Sequence, residues 1–161
     1  MIAADSDGRP PAGMTAPGHR FAIASLTFAC LLGLAFGWQL LAMPGGLAVP
    51  AGLSFIPGNL FGGAELPGST LLVPPPATLV TYQFLHGGLE HLAMNLLALL
   101  AFGVGLERWI GPWRFLALYL VCGIAGGLAQ TAIFPDGQGP LIGASGAISG
   151  CFAAIIRLMS G

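Results

Sequence analysis

The stretch "HGGLEHLAMNLLALLAFGVGLERWIGPWRFLALYL", His86 to Leu120, decides the fold. Gly87-Gly88 breaks regular structure, and an apolar run follows from Glu90 to about Leu106. "ERWIGPW" then reads as a short turn, with Gly111-Pro112 stopping one helix and starting the next. Trp109 and Trp113, beside that turn, suit a membrane interface. A second apolar run continues from Trp113 to Phe134. Two such runs joined by so short a turn predict an antiparallel pair of membrane-spanning helices.

The flanks repeat the pattern. Phe21 to Met43 is an uncharged apolar run, long enough to span with some tilt. A cleaved signal peptide is the alternative, but its apolar region would be only about 7–15 residues. Residues 1–20 are polar and rich in Pro and Gly, which predicts a disordered cytoplasmic N-terminus ahead of a membrane domain over 21–161. Pro44 to Thr78 reads as a long loop that lies in the interface or folds back onto the helices. The Pro74-Pro75-Pro76 triplet ends it stiffly. "PDGQGP" is another tight turn, and a fourth helix is predicted from near Ala144 to about Met159. The expected fold is all-α, a polytopic bundle of four transmembrane helices.

Composition agrees. The chain is 55% hydrophobic and 7% charged, against about 25% charged in soluble domains. Five arginines, no lysine and six acids leave a net charge of -1, with no basic footprint for nucleic acid. Cys30, Cys122 and Cys151 each lie in an apolar run and read as small packing residues. No CxxC or Cys/His spacing suggests zinc. With four spans, all five arginines fall on one side: Arg9 and Arg20 before the first span, Arg108 and Arg114 between the second and third, and Arg157 at the end of the fourth. The positive-inside bias makes that side cytoplasmic and the protein multi-pass in a plasma or bacterial inner membrane.

That orientation brings His86, His91 and Asn95, at the outer end of the second span, to the depth of Ser145, at the outer end of the fourth. His91 and Asn95, spaced i, i+4, share one helix face. His86 is set about 140° from His91 on an ideal helix, so it belongs to the entering loop and is aimed separately. Polar groups at this depth usually serve function. A hydrogen bond that only glues helices, or a metal or haem site, are the alternatives. Ser145 opens a helix, where free N–H groups and the positive dipole end favour a developing oxyanion. Its own N–H, the Asn95 amide and His91 are the available donors. Gly143 and Gly146 clear space for a substrate backbone. Ser149, a turn deeper, reads as a packing residue with its hydroxyl on a backbone carbonyl. Gly123-x-x-x-Gly127 and Gly146-x-x-x-Gly150 read as close-approach faces. The soluble G-x-S-x-G elbow does not fit, because Ala147 takes its last position and no strand precedes it.

"HGGLEHLAMN", "ERWIGPWRFLALYL" and "GASGAISG" together resemble the rhomboid family of intramembrane serine proteases, over roughly Thr81 to Arg157. The resemblance implies a six-helix core whose site opens to the extracytoplasmic side. It implies Ser145 as nucleophile, His91 and Asn95 on the oxyanion side, His86 in support, transmembrane protein substrates and no cofactor. Rhomboids pair the serine with a histidine on the sixth helix. This chain stops in the fourth, and its remaining histidine, His19, precedes the first span. The expectation is therefore an incomplete rhomboid core with little activity alone: a truncated product or half of a split protein, its base on a missing C-terminal fragment, or a natural four-span relative. A rhomboid-like pseudoprotease that binds transmembrane helices without cutting them is the other reading. The Trp-Arg pair common in the first loop of many rhomboids is absent from that loop, and Trp113-Arg114 lies in a different connection.

Overall fold

The structure is a computed structural model that describes residues 21–42, 50, 52–61 and 72–160. The expectations for residues 1–20 and for much of the first loop lie outside the described residues. The fold is an all-α membrane bundle. Helix α1 is Ile23–Ala42, α2 is Pro75–Thr81, α3 is Leu89–Ile110 with a π-helical turn at Leu99–Gly103, α4 is Pro112–Ile133 and α5 is Ser145–Met159.

Three helices, α1, α3 and α4, are long and apolar enough to cross a membrane. The fourth expected span is α5, which has 15 residues. At about 1.5 Å per residue it is shorter than a hydrocarbon core of about 30 Å. The "ERWIGPW" turn is narrower than expected: α3 continues through Glu107 to Ile110, and Gly111, at φ +85°, is the single residue between α3 and α4. The proline triplet begins a helix instead of only ending a loop. Pro75 and Pro76 occupy the first turn of α2, where a missing N–H costs nothing.

Helices α1 and α3 run antiparallel and are fastened at both ends by side chains bonded to backbone. Ala22, which precedes α1, has no side-chain acceptor for the first N–H groups of that helix. Glu107 of α3 supplies one. Its carboxyl oxygens accept from the Ala24 N–H at 2.9 Å, the Ser25 N–H at 2.7 Å and the Ser25 hydroxyl at 2.7 Å. This is an N-cap delivered from another helix. At the far end Gln39 of α1 bonds the backbone of His86, ahead of α3.

Small residues set the packing of α4. A side chain at Gly150 of α5 would run into Cys122, and one at Gly126 would meet the Gly146 backbone at 3.6 Å. The other face of α4 receives α2 and the turn after it: Gln83 fills the space over Gly123, and Leu79 that over Gly127. Both predicted small-residue pairs are therefore close approaches, one to each neighbour. The first loop does fold back. Phe55 is fully buried and pairs in antiparallel fashion with Leu141 of the loop before α5. The two loops thus share one end of the bundle. At the opposite end Arg108, Arg114 and Arg157 are exposed.

Candidate active site

Helices α3 and α5 run parallel, in contact along their length from the Gly143–His91 approach through the Phe102–Phe152 ring pair, with centroids 4.9 Å apart. At the loop-bearing end they enclose an open groove of about 360 Å³, lined among others by His91, Asn95, Ser145 and Ser149. Three of the sequence-predicted residues therefore meet. Ser145 is exposed to the groove at the first position of α5. Its own N–H and the next two are among the first four of the helix, which have no partner within it. Ser149 is a correction: it is exposed on the same groove and is not packed away. A step of four residues on a helix keeps two side chains on one face, so a serine below Ser145 faces the same space.

The His91 ring is held from two sides. The Gly87 N–H points to its Nδ1 at 3.4 Å, a long contact. A neutral ring that accepts at Nδ1 carries its proton on Nε2. Nε2 in turn lies against Gly143, where an added Cβ would be only 2.7 Å away. Gly143 has φ +106°, a conformation that favours glycine. Its carbonyl-side neighbour Ala144 and Ser145 follow directly, so this one backbone bend places the His91 edge beside the start of α5.

Asn95 is buried and its amide donates to the His91 carbonyl at 2.9 Å, one turn back along its own helix. That occupies one of its two N–H bonds and leaves the other for the groove. Gly146 does not open toward the groove; a Cβ there would meet the Tyr82 hydroxyl at 3.5 Å and Gly126. It serves the contact with α4. His86 does not line the groove either. It is fully buried in the loop before α3, with its ring edge-on to His91 and the centroids 5.1 Å apart. Neither of its ring nitrogens bonds to protein among the described residues. Burial, reinforced by repulsion from His91, pushes its pKa down to about 4, so the ring is neutral at physiological pH.

Two polar residues escaped the sequence reading. Glu107 stood in a segment read as a turn, and Gln39 in a run read only for its hydrophobicity. The signal available for each was a polar side chain with long reach in an apolar helix, which calls for a partner.

The fold defines the class: an all-helical membrane protein with a groove at one end that sets His91, Asn95, Ser145 and Ser149 among apolar side chains. The Rhomboid domain family matches residues 76–160. The chain is 46% identical over 78 residues to Rhomboid protease GluP of Bacillus subtilis, covering 48% of this chain and 15% of that protein. It is 37% identical over 81 residues to the Putative rhomboid protease YdcA of the same organism, covering 50% of this chain and 40% of that one. It is 36% identical over 81 residues to Inactive rhomboid protein 1 of Drosophila melanogaster, covering 50% of this chain and 6% of that protein. No solved structure gives a significant match. The chain belongs to the rhomboid family. The matched stretch spans well under half the length of each of these relatives.

Proposed function

We propose that this chain carries the nucleophile and oxyanion side of an intramembrane serine protease acting on transmembrane proteins. One observation carries the reading: Ser145, at the positive end of α5, shares a groove with the His91 ring and the Asn95 amide. Ser145 Oγ attacks the scissile carbonyl. The Ser145 N–H, the free Asn95 N–H and His91 Nε2–H stabilise the oxygen as it gains charge, each donor being worth about 10²–10³ in rate. Ser149 adds a hydroxyl deeper in the groove. Exposed Met94 and Phe152 line it and suit the apolar surface of a substrate helix. Positive-inside bias supports a site facing away from the cytoplasm in a multi-pass chain, since Arg108, Arg114 and Arg157 lie at the other end.

A serine needs a base to take its proton. His91 offers its acceptor nitrogen to Gly87 and its donor to the groove, so it does not serve. The base is a histidine outside these 161 residues, contributed by a further membrane segment. The second reading, a rhomboid-like protein that binds transmembrane helices without cutting, is favoured by the absence, among the described residues, of any histidine acceptor bonded to the Ser145 hydroxyl. A cleavage assay in bilayers decides, with three samples: this chain alone, this chain with a C-terminal helix pair from a relative carrying the histidine, and that pair with Ser145→Ala. Cutting by the complemented pair alone is expected. No cutting by the pair, with the complex demonstrably formed, favours the non-cleaving reading. Cutting by the short chain alone places the base within it.

A further inference from the structure

We infer that Gln39, on α1, is a positioning residue for His91: it holds the loop whose backbone fixes the His91 tautomer. The inference rests on the oxyanion reading of His91 only for its consequence in catalysis. The geometry behind it stands separately.

Gln39 is fully buried, three residues before the end of an apolar helix. Its amide grips one residue with both ends. Nε2 donates to the His86 carbonyl at 2.7 Å, and Oε1 accepts from the His86 N–H at 3.3 Å. A side-chain amide bonded to both the N–H and the C=O of one residue copies the pairing of adjacent β-strands. It fixes that residue's position and its orientation. The next N–H in the chain, that of Gly87, is the one that points to His91 Nδ1. Between α2 and α3 the loop contains Gly87-Gly88, the most pliant pair available, and Gly88 has no steric neighbour to confine it. The aim of the Gly87 N–H therefore depends on what anchors His86. The His86 ring, edge-on to His91, sets the second wall of the same arrangement.

The sequence of effects runs from α1 to the groove. Gln39 fixes His86. His86 places the Gly87 N–H. That N–H keeps the His91 proton on Nε2, and Nε2 faces Gly143 at the start of α5. Without the grip, His91 loses its bias and part of the population carries the proton on Nδ1. In that form Nε2 is an acceptor and repels an oxyanion. An apolar helix that never touches the groove thus sets the hydrogen-bonding sense of a ring that lines it.

The test reads the ring itself. The chain has three histidines, His19, His86 and His91, so ¹⁵N-histidine labelling gives an assignable solid-state NMR spectrum of the protein in lipid bilayers. In the parent chain His91 Nδ1 should resonate as an unprotonated acceptor and Nε2 as protonated. Gln39→Met removes both bonds with little change of volume. It should lower the ratio of the Nε2–H to the Nδ1–H tautomer by roughly fivefold, the equivalent of one ordinary hydrogen bond. Gln39→Leu removes the same two bonds with a side chain of similar size, so its ratio should fall as far. Leu40→Met, one residue along α1, should leave the ratio unchanged. Unmoved His91 resonances in Gln39→Met overturn the inference, as does an equal shift in Leu40→Met. Should Gln39→Met fail to fold, Gln39→Leu decides in the same way. The resonances are read without any cleavage, so an inactive serine leaves this inference standing, and an unmoved His91 leaves the serine chemistry standing.

Discussion

Removing the Glu107 carboxyl tests whether the cap it gives α1 is a main fastening of the bundle. Three donors converge on two oxygens, and the Glu107 side chain is almost fully buried. Ordinary polar contacts between membrane helices average about 0.6 kcal/mol, which makes three of them worth about 2 kcal/mol. A buried cap is different, because its loss strands two backbone N–H groups that the helix cannot satisfy itself, at about 1–3 kcal/mol each. Glu107→Ala should therefore cost about 3–5 kcal/mol. Glu107→Gln is the sharper perturbation. The amide has a single oxygen; turned toward Ser25 it keeps two bonds and sets its own NH₂ against the Ala24 N–H. It should cost about 1–2 kcal/mol despite its identical shape. Ser25→Ala removes only the hydroxyl bond and should cost about 1 kcal/mol. Reversible unfolding in mild detergent or bicelles, followed by helical circular dichroism, measures all three. The order Ala, then Gln, then Ser25→Ala is the expectation. A Glu107→Gln chain as stable as the parent, or a Glu107→Ala loss below about 1 kcal/mol, would refute the cap as argued.

Gly143→Ala forces both a strained φ and a collision with the His91 ring; it should cost about 1–2 kcal/mol of stability and shift the His91 ¹⁵N resonances. In a complemented cleavage assay it should also lower the rate by about 10²–10³, the worth of one oxyanion donor. Gly150→Ala drives a methyl into Cys122 and should loosen α4 from α5, and Cys122→Gly in the same chain should restore part of the loss, with a coupling of about 0.5–3 kcal/mol in a double-mutant unfolding cycle. His86 should make the fold acid-sensitive: its folded pKa, near 4, is below the ordinary value of 6.5, so the unfolded chain binds the proton first and stability falls as pH drops from about 6.5 to 4. Unfolding midpoints of the parent and of His86→Gln, compared at both ends of that window, should show a drop that the variant lacks.

The helices were legible because their apolar runs are long and the breakers between them strong. Leu89–Ile110 ran four residues past the expected Leu106 because Glu107 and Arg108 look like loop residues until the partner of Glu107 is known. Charge alone marks a boundary; charge with a distant cap to make does not. The approach of His91 to Ser145 followed from spacing and direction, since two parallel helices bring their polar ends to one depth. The environment of each group did not follow. Nothing in "GASG" says that Gly146 turns toward α4 while Ser149 turns toward the groove, because that depends on which face of α5 meets Gly126 and Cys122. The grip of Gln39 on His86 joins residues 47 positions apart through a single side chain, and no periodicity records such a contact.

The pairing of Phe55 with Leu141 has a consequence for how the chain is made. Leu141 is synthesised well after Phe55, and at about 5–20 residues per second the interval is roughly 4–17 s. During that time α2, α3 and α4 are made, while Phe55 lacks the backbone partner it will finally bond. Phe55 and Ile56, both buried in the finished fold, have only the headgroup region in which to wait. An apolar loop is suited to that wait, since it rests on the membrane surface instead of drifting into water. The clasp then closes late, once the turn before α5 has been made.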